Sequence, residues 1–420
     1  MAERGRVRRA PTLVAAVLLL AACAGDDGAT PSTTTMSPTT TTSPARQSDG
    51  KLVLGVLLPT TGEGAQLGRP MIEGARLAAS RINSAGGVGG QDIELIELDE
   101  GTASTATLGI DTLIEEGVDG IIGPASSIVA LTNLGLAVDA GIVTCSPTAS
   151  SLALDDYPDD GLFFRTIPSD SLQAVAMAEV AQTTGAPSVA VAFLDDVYGR
   201  GLATAFRSAL ASRNLPIVAE VGFGGGDEDL GDEAREILAA GPGAIIVLAD
   251  ADDGSRLIQA LDNASTTRTF PPIVVNDAMR RLPPQVIQGL QRQVRRAIRG
   301  VAPVAMGTDP DLPGLYAANA YDCVNLIALS ALQADTDVPD RIATQMASVS
   351  AEGSPCTSFE SCARLLRRTT PLQIDYNGPS GNTELSTRTG DPIRARFEEF
   401  RFDEDGSDVS DGQPFDVSGV

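Results

Sequence analysis

The sequence predicts an α/β protein: two doubly wound parallel-sheet lobes joined by a multi-crossover hinge. Three observations carry this expectation. An apolar run of strand length, VLGVLLP from Val53, feeds through a glycine-bearing turn into a helix ending near Asn83. Strand and helix patterns then alternate as far as Ser146-Pro147. After the passage GLFFRTIPSD, residues 161 to 170, a second alternating series begins, so two lobes follow.

Each element follows from its own pattern. In the opening unit Gly62, Gly64 and Gly68 make the turn, and Pro70 is placed where the helix begins. Ile72, Ala75, Leu77, Ala78, Ala79 and Ile82 recur at helical spacing, and Gly86 and Gly87 stop the run. Asp92 to Leu98 reads as a strand. Ala106 to Glu116 reads as a helix with Leu108, Leu113 and Ile114 inward. Gly120 to Gly123 is a short strand, Ser127 to Ala140 a helix, and Ile142 to Cys145 a strand. The second series has helices at Ser171 to Thr183 and Tyr198 to Ser212. Its strands are Ser188 to Leu194, Ile217 to Val221, Ala244 to Leu248 and Ile273 to Asn276. Gly300 to Met306 is extended, Leu315 to Ala334 is a long helix, and Arg394 to Phe402 is a last strand.

The chain ends outside these elements are different in kind. Arg4, Arg6, Arg8 and Arg9 precede a short apolar core and LAAC, so residues 1–22 read as a signal peptide. LAAC looks like a lipoprotein box that leaves Cys23 lipidated. Several acyl chains on one cysteine anchor stably, where a single chain does not. Residues 23–50, rich in threonine, serine and proline, form a disordered tether with an rms reach of roughly 30 Å. Residues 51–166 plus 304–390 make lobe one, and 167–303 plus 391–405 make lobe two. The acidic stretch 406–420 reads as a disordered tail.

Charge and composition exclude several functions. The formal charge is −25. Loss of a leader holding four arginines and one glutamate, a net +3, makes it −28. Such a chain does not bind nucleic acid non-specifically. Arg292, Arg295, Arg296 and Arg299 have helical spacing and read as a solvated helix face. There is no histidine, which removes histidine-containing zinc sites, His-based acid/base work and Ser-His-Asp triads. No metal, cofactor or enzymatic activity is expected. Cys356 and Cys362 read as a local disulfide in an exported protein, while Cys145 and Cys323, on apolar elements, read as buried and inert. GFGGGDEDLG lacks the Lys-Ser/Thr ending of a phosphate loop, and DEDGSDVSDG lacks full calcium-loop spacing.

The informative residues sit where strands end and helices start. IIGPASS places Ser126 and Ser127 at a helix N-terminus, which favours an anion, although either also suits a helix cap. SPTASS sets Ser146, Thr148 and Ser150 close together. In the second series Tyr198 follows two aspartates, Asp250, Asp252 and Asp253 open a helix, and Asp277 ends an apolar strand. A cleft between two such lobes is a natural ligand site that hinge bending can shut.

On LGVLLPTTGEGAQLGRP, IIGPASS, SPTASS, FFRTIPSD, VYGRGLA, AANAYDCVNLIALSAL and YNGPSG, the sequence resembles a known family. It is the leucine/isoleucine/valine-binding family of ABC-transporter substrate-binding lipoproteins, with the type I periplasmic-binding fold. The resemblance spans residues 51 to 405. It implies that Ser127, Thr148, Ala149 (through its backbone) and Ser150 hold an amino acid's carboxylate. Tyr198 and Asp277 would close on its ammonium group. Leu67 and Asp250 would surround the ligand side chain, at positions where branched-chain binders often carry aromatics, so a polar or cationic side chain becomes possible. The implied partners are a small zwitterion, ABC permease subunits and the outer face of the cytoplasmic membrane through the lipid. The alternative on this fold is a ligand-sensing receptor or regulatory lipoprotein signalling to a membrane or cell-wall partner.

Overall fold

The computed structural model describes residues 47–420 apart from 63, 227, 228, 267, 268, 369, 411, 412 and 420. The expected signal peptide, the expected lipidation site Cys23 and the expected tether as far as residue 46 lie outside the described residues. Just before β1, the backbone N–H groups of Asp49, Gly50 and Lys51 converge on the Asp337 carboxylate at 3.1, 2.6 and 3.0 Å.

Lobe one is laid down first. β1 (Val53–Leu58), α1 (Ala65–Ser84), β2 (Glu94–Asp99), α2 (Ala103–Glu115), β3 (Gly120–Ile122), α3 (Ser127–Asp139), β4 (Val143–Ser146) and β5 (Phe163–Arg165) alternate as expected. The sheet is parallel, in the order β2-β1-β3-β4-β5, with β1 between β2 and β3. Two local expectations are corrected. Helix α1 starts at Ala65, so Pro70 lies inside it rather than at its start. Gly68 permits the tight approach to the β1 end, since a Cβ there would stand 1.8 Å from the Pro59 carbonyl. In α2 the buried stripe is Ala106, Ile110 and Leu113, and Leu108, expected inward, is 69% exposed.

The chain then passes to lobe two. It contributes α4 (Asp170–Thr183), β6 (Val189–Leu194), α5 (Val197–Ala211), β7 (Ile217–Phe223), α6 (Gly231–Ala239), β8 (Ala244–Leu248) and α7 (Ala251–Ala264). Next come β9 (Ile273–Val275), a 3₁₀ turn at Asp277–Arg281, α8 (Pro284–Gly289), α9 (Arg292–Arg295) and β10 (Ile298–Pro303). The expected basic helix face is therefore not one face. Arg292 and Arg295 are on the short α9, while Arg299 lies on β10, where Glu399 accepts from its Nε at 2.9 Å.

The chain returns to lobe one through α10 (Ala317–Ala334), α11 (Pro339–Met346), β11 (Ser354–Cys356), α12 (Phe359–Leu366) and β12 (Ile374–Tyr376). Helix α10 is buried along most of its length and packs on α1. The last passage delivers β13 (Arg394–Phe402), β14 (Asp408–Ser410) and β15 (Phe415–Ser418) to lobe two. That sheet runs β14-β13-β10-β9-β8-β6-β7, with β13 antiparallel to β10 and β15 also on β13. The stretch 406–420, expected to be disordered, thus supplies two strands. Val417 is buried against α4, so the tail has an apolar contact that its acidic composition hides.

The cysteines divide as one expectation met and one corrected. Cys356 and Cys362 are bonded, with Cα atoms 5.3 Å apart. Cys145 and Cys323 are not inert thiols: they form a second disulfide, Cα atoms 5.6 Å apart and 178 residues apart in sequence. It joins β4 to α10. The pairing arises because α10 returns from lobe two to lie against the first sheet.

Candidate functional site

A cleft of about 1110 Å³ opens between the strand-end turns of the two sheets. Lobe one contributes Leu67, Ser126, Ser127, Ile128 and Ser150. Tyr198, the α7 start at Asp250 and Asp252, and Asp277 with Arg280 and Arg281 face them. Tyr316 closes one side from the second passage between lobes. Of the residues anticipated from sequence, Leu67, Ser127, Ser150, Tyr198, Asp250 and Asp277 are brought to this one cleft. Thr148 and Ala149 are not among its lining residues.

The lobe-one rim is built from hydroxyls and backbone held by buried charge. Ser146 is the hub of its turns. Its hydroxyl donates to the Pro124 carbonyl at 2.6 Å and accepts from Ala149 N at 2.9 Å. Thr148 donates its hydroxyl to the Ala125 carbonyl at 2.9 Å, so both Thr148 and Ala149 are engaged in tying one turn to the other. Glu100, fully buried, accepts from Ala125 N at 2.7 Å and Ser126 N at 2.8 Å. Burial pushes its carboxyl up, and those two N–H groups oppose the shift. Ser126 caps α3 by accepting from Val129 N, and Ser127 accepts from Ser151 N at 3.2 Å. The first N–H groups of α3 have no intrahelical acceptor, and of these Val129 N is taken by the Ser126 cap.

Arg165, at the end of β5, anchors the rim from beneath. It is wholly buried and forms ion pairs of 2.6 Å with both Asp155 and Asp391. Its Nη1 also donates to the carbonyls of Ala149 and Ser151 at 3.3 and 3.1 Å.

Carboxylates dominate the lobe-two rim. Asp277 opens the 3₁₀ turn after β9 and takes the Ala278 N–H at 2.8 Å. Its carboxyl is pushed up by burial, against the opposing bond from the Gln173 amide. Asp170, the first residue of α4, is pushed up to about 8 by burial and then by the charge of Asp277. The Ser150 hydroxyl and the Arg165 charge act the other way. Tyr198 accepts from Asn276 Nδ2 at 2.9 Å, and Asn276 Oδ1 takes Ala249 N at 3.1 Å. Burial first, then the charges of Asp170 and Asp277, hold the Tyr198 phenol far above its usual range. Asp250 caps α7 by accepting from Asp253 N at 2.8 Å. Arg280 donates to Glu398 at 2.7 Å and to Asp408, and lies 5.2 Å over the Phe400 ring.

Asp170, Gln173 and Tyr316 escaped the sequence reading, whereas Asn276 stands with Asp277 on the VVNDAM turn that the sequence marks. Asp170 stands at a helix start, where an acid is ordinary. Tyr316 has a left-handed backbone, φ 58°, just before α10, and no local pattern marks it. Among the described residues no cluster of metal-ligating side chains is present, and no helix is long and apolar enough to cross a membrane.

The model of the periplasmic binding protein family matches residues 51–363. The chain belongs to the periplasmic binding protein family. That family is one of binding proteins rather than enzymes. A Pseudomonas aeruginosa leucine-, isoleucine-, valine-, threonine- and alanine-binding protein is 24% identical over 68% of this chain and 79% of its own. A Leu/Ile/Val-binding protein homolog of Brucella melitensis is 29% identical over 45% of this chain and 52% of its own length. Among solved structures, the Streptococcus pneumoniae branched-chain amino acid transporter substrate-binding protein, in complex with isoleucine, superposes with a TM-score of 0.61. It is 20% identical, with 88% of this chain and all of that one covered. A Thermotoga maritima leucine-binding protein gives 0.62 at 19% identity, over 87% and 99%. This periplasmic binding protein therefore has the two-lobed fold expected of its sequence.

Proposed function

We propose that the chain is an extracytoplasmic solute-binding lipoprotein of an ABC importer that captures an amino acid or related small zwitterion. One observation carries the reading: the cleft sets uncharged donors of one lobe against carboxylates of the other. Ser127 and Ser150 face the cleft beside the start of α3, the end suited to a carboxylate. Thr148 and the Ala149 backbone stand behind them, where they hold the turn and would support the same group. Asp277 and Tyr198 face the cleft from lobe two and receive the ammonium group, while Leu67 and Asp250 border its side chain. Pairing both ligand charges is what a half-dry cleft requires.

The relatives support the class. One is named for binding five neutral amino acids, and one solved structure holds isoleucine. Lipidation at Cys23 would hold the protein on the outer face of the cytoplasmic membrane, with the tether giving it reach to the permease. Closure of the lobes is then the signal that the permease reads.

A thermal-shift screen of the purified protein against the common amino acids tests this. A ligand at about 100 times its dissociation constant adds roughly 2.7 kcal/mol of stability. At least one amino acid should raise the melting temperature by several degrees. A flat response to all of them sinks the proposal.

A further inference from the structure

We propose that the zwitterion held in this cleft carries a cationic side chain, an amine or guanidinium on an aliphatic stem, received by Asp250 and Asp252. The inference rests on the reading of the cleft as an amino-acid site and names the class of amino acid.

Consider first the charge left for the ligand. Of the two arginines lining the cleft, Arg280 is committed to Glu398 and Asp408 and lies on the Phe400 ring. Asp408 comes from β14, so the C-terminal stretch itself takes this cation out of play. Arg281 remains, facing Asp250, Asp252 and Asp277. One carboxylate is answered by the ligand's own ammonium group at Asp277. The acids at the start of α7 are then left in excess. They have satisfied that helix end already, Asp250 as its cap and Asp252 in its first turn. A further anion there would meet like charge.

The second observation is independent of surface acids. Gln173 is 1% exposed, its amide nitrogen reaches the Val301 carbonyl at 3.3 Å, and its Oε1, wholly buried, has no partner. It lies beside Asp277, whose carboxylate its amide also touches. Gln173 does not line the cleft; it holds Asp277 from behind, in place for the ligand's ammonium group, which leaves Asp250 and Asp252 to the side chain.

Third, the walls suit a stem with a charged tip. Ile128, Leu315 and Met306 line the cleft yet are 74%, 49% and 45% exposed. They can cover methylene groups, while a terminal cation reaches the carboxylates, as long basic side chains do elsewhere.

The test is calorimetric titration of the whole protein with L-lysine, L-ornithine, L-arginine, L-leucine and L-glutamate at one ionic strength. A basic amino acid should bind at least tenfold tighter than leucine. The Asp250→Asn, Asp252→Asn double variant should lower the lysine-to-leucine affinity ratio at least tenfold. Asparagine retains the helix cap, and an unchanged circular dichroism spectrum checks that the variant is folded. Leucine or glutamate binding as tightly as any basic amino acid overturns the inference and leaves the amino-acid reading standing. So does a double variant with an unaltered ratio. No binding of any amino acid overturns both.

Discussion

The two rims of the cleft solve the same task with opposite means. On lobe one, charge is buried behind the rim and neutral groups face the ligand. Arg165 is locked between Asp155 and Asp391, Glu100 is spent on two backbone N–H groups, and Ser126, Ser127 and Ser150 are presented. On lobe two, charge is presented: Asp277, Asp250 and Asp252 line the cleft, with Asp170 just behind. The difference teaches that one wall has its charges neutralised before a ligand arrives and the other keeps an excess of one sign. A wall of paired charges gives rigidity and stability. A wall that lines the cleft with more carboxylates than cations gives up stability for affinity.

The sharpest way to break this contrast is at Arg165. Replacing it with methionine leaves Asp155 and Asp391 facing each other with no cation between them. Loss of one partner from a buried ion pair costs about 3–5 kcal/mol. Urea unfolding should show a loss of that size, and one below about 1 kcal/mol would mean that lobe one is not held by its buried charge.

Asp277→Asn should act in the reverse sense. Loss of a charged partner in a desolvated site weakens binding by about 2–5 kcal/mol, so titration should show affinity falling at least thirtyfold. The ligand-free variant should melt no lower than the parent, because burial opposes the charge on this carboxyl. A variant that binds as well as the parent removes Asp277 from the site. One that melts well below it makes the lobe-two rim structural instead.

A smaller effect is expected from pH. Asp170, facing Ser150, Arg165, Asp155 and Asp277, is raised to about 8. Asp322 on α10, which accepts from Tyr376 and Ser380 N, is raised by burial to about 7. A carboxyl raised on folding favours the folded state while protonated. Its contribution is complete below the unfolded value near 4, and it is lost as pH climbs through 7 to 8. Ligand-free protein should therefore melt progressively lower between pH 5 and 8. Asp322→Asn should flatten the lobe-one share of that slope, and saturating ligand should flatten the share from Asp170. A melting temperature that rises across this range would contradict both assignments.

Much of this is legible in the sequence alone. The apolar run at Val53 and the helical spacing after it specified the first strand and helix. The turns IIGPASS, SPTASS and VYGRG mark Ser127, Ser150 and Tyr198, and the end of an apolar strand marks Asp277. What escaped is of one physical type. Asp170 reads as the end of the passage GLFFRTIPSD, and only its burial near Asp277 makes it unusual. The acidic tail lacked a clear period, and only the open edge of β13 gave it a partner. Leu108 points outward because, at about 3.6 residues per turn, it lies on the face opposite Ala106, Ile110 and Leu113.

The sequence by itself determined the alternation of strands and helices, the two series and the chemistry of the strand-end turns. These are written in residues a few positions apart, where hydrophobic period and turn preference act. Tertiary structure alone decided which distant residues meet. Cys145 found Cys323 across 178 residues, Arg165 found Asp391, and Asp408 reached Arg280. Such contacts follow from how buried surfaces close on one another, and no local spacing encodes them.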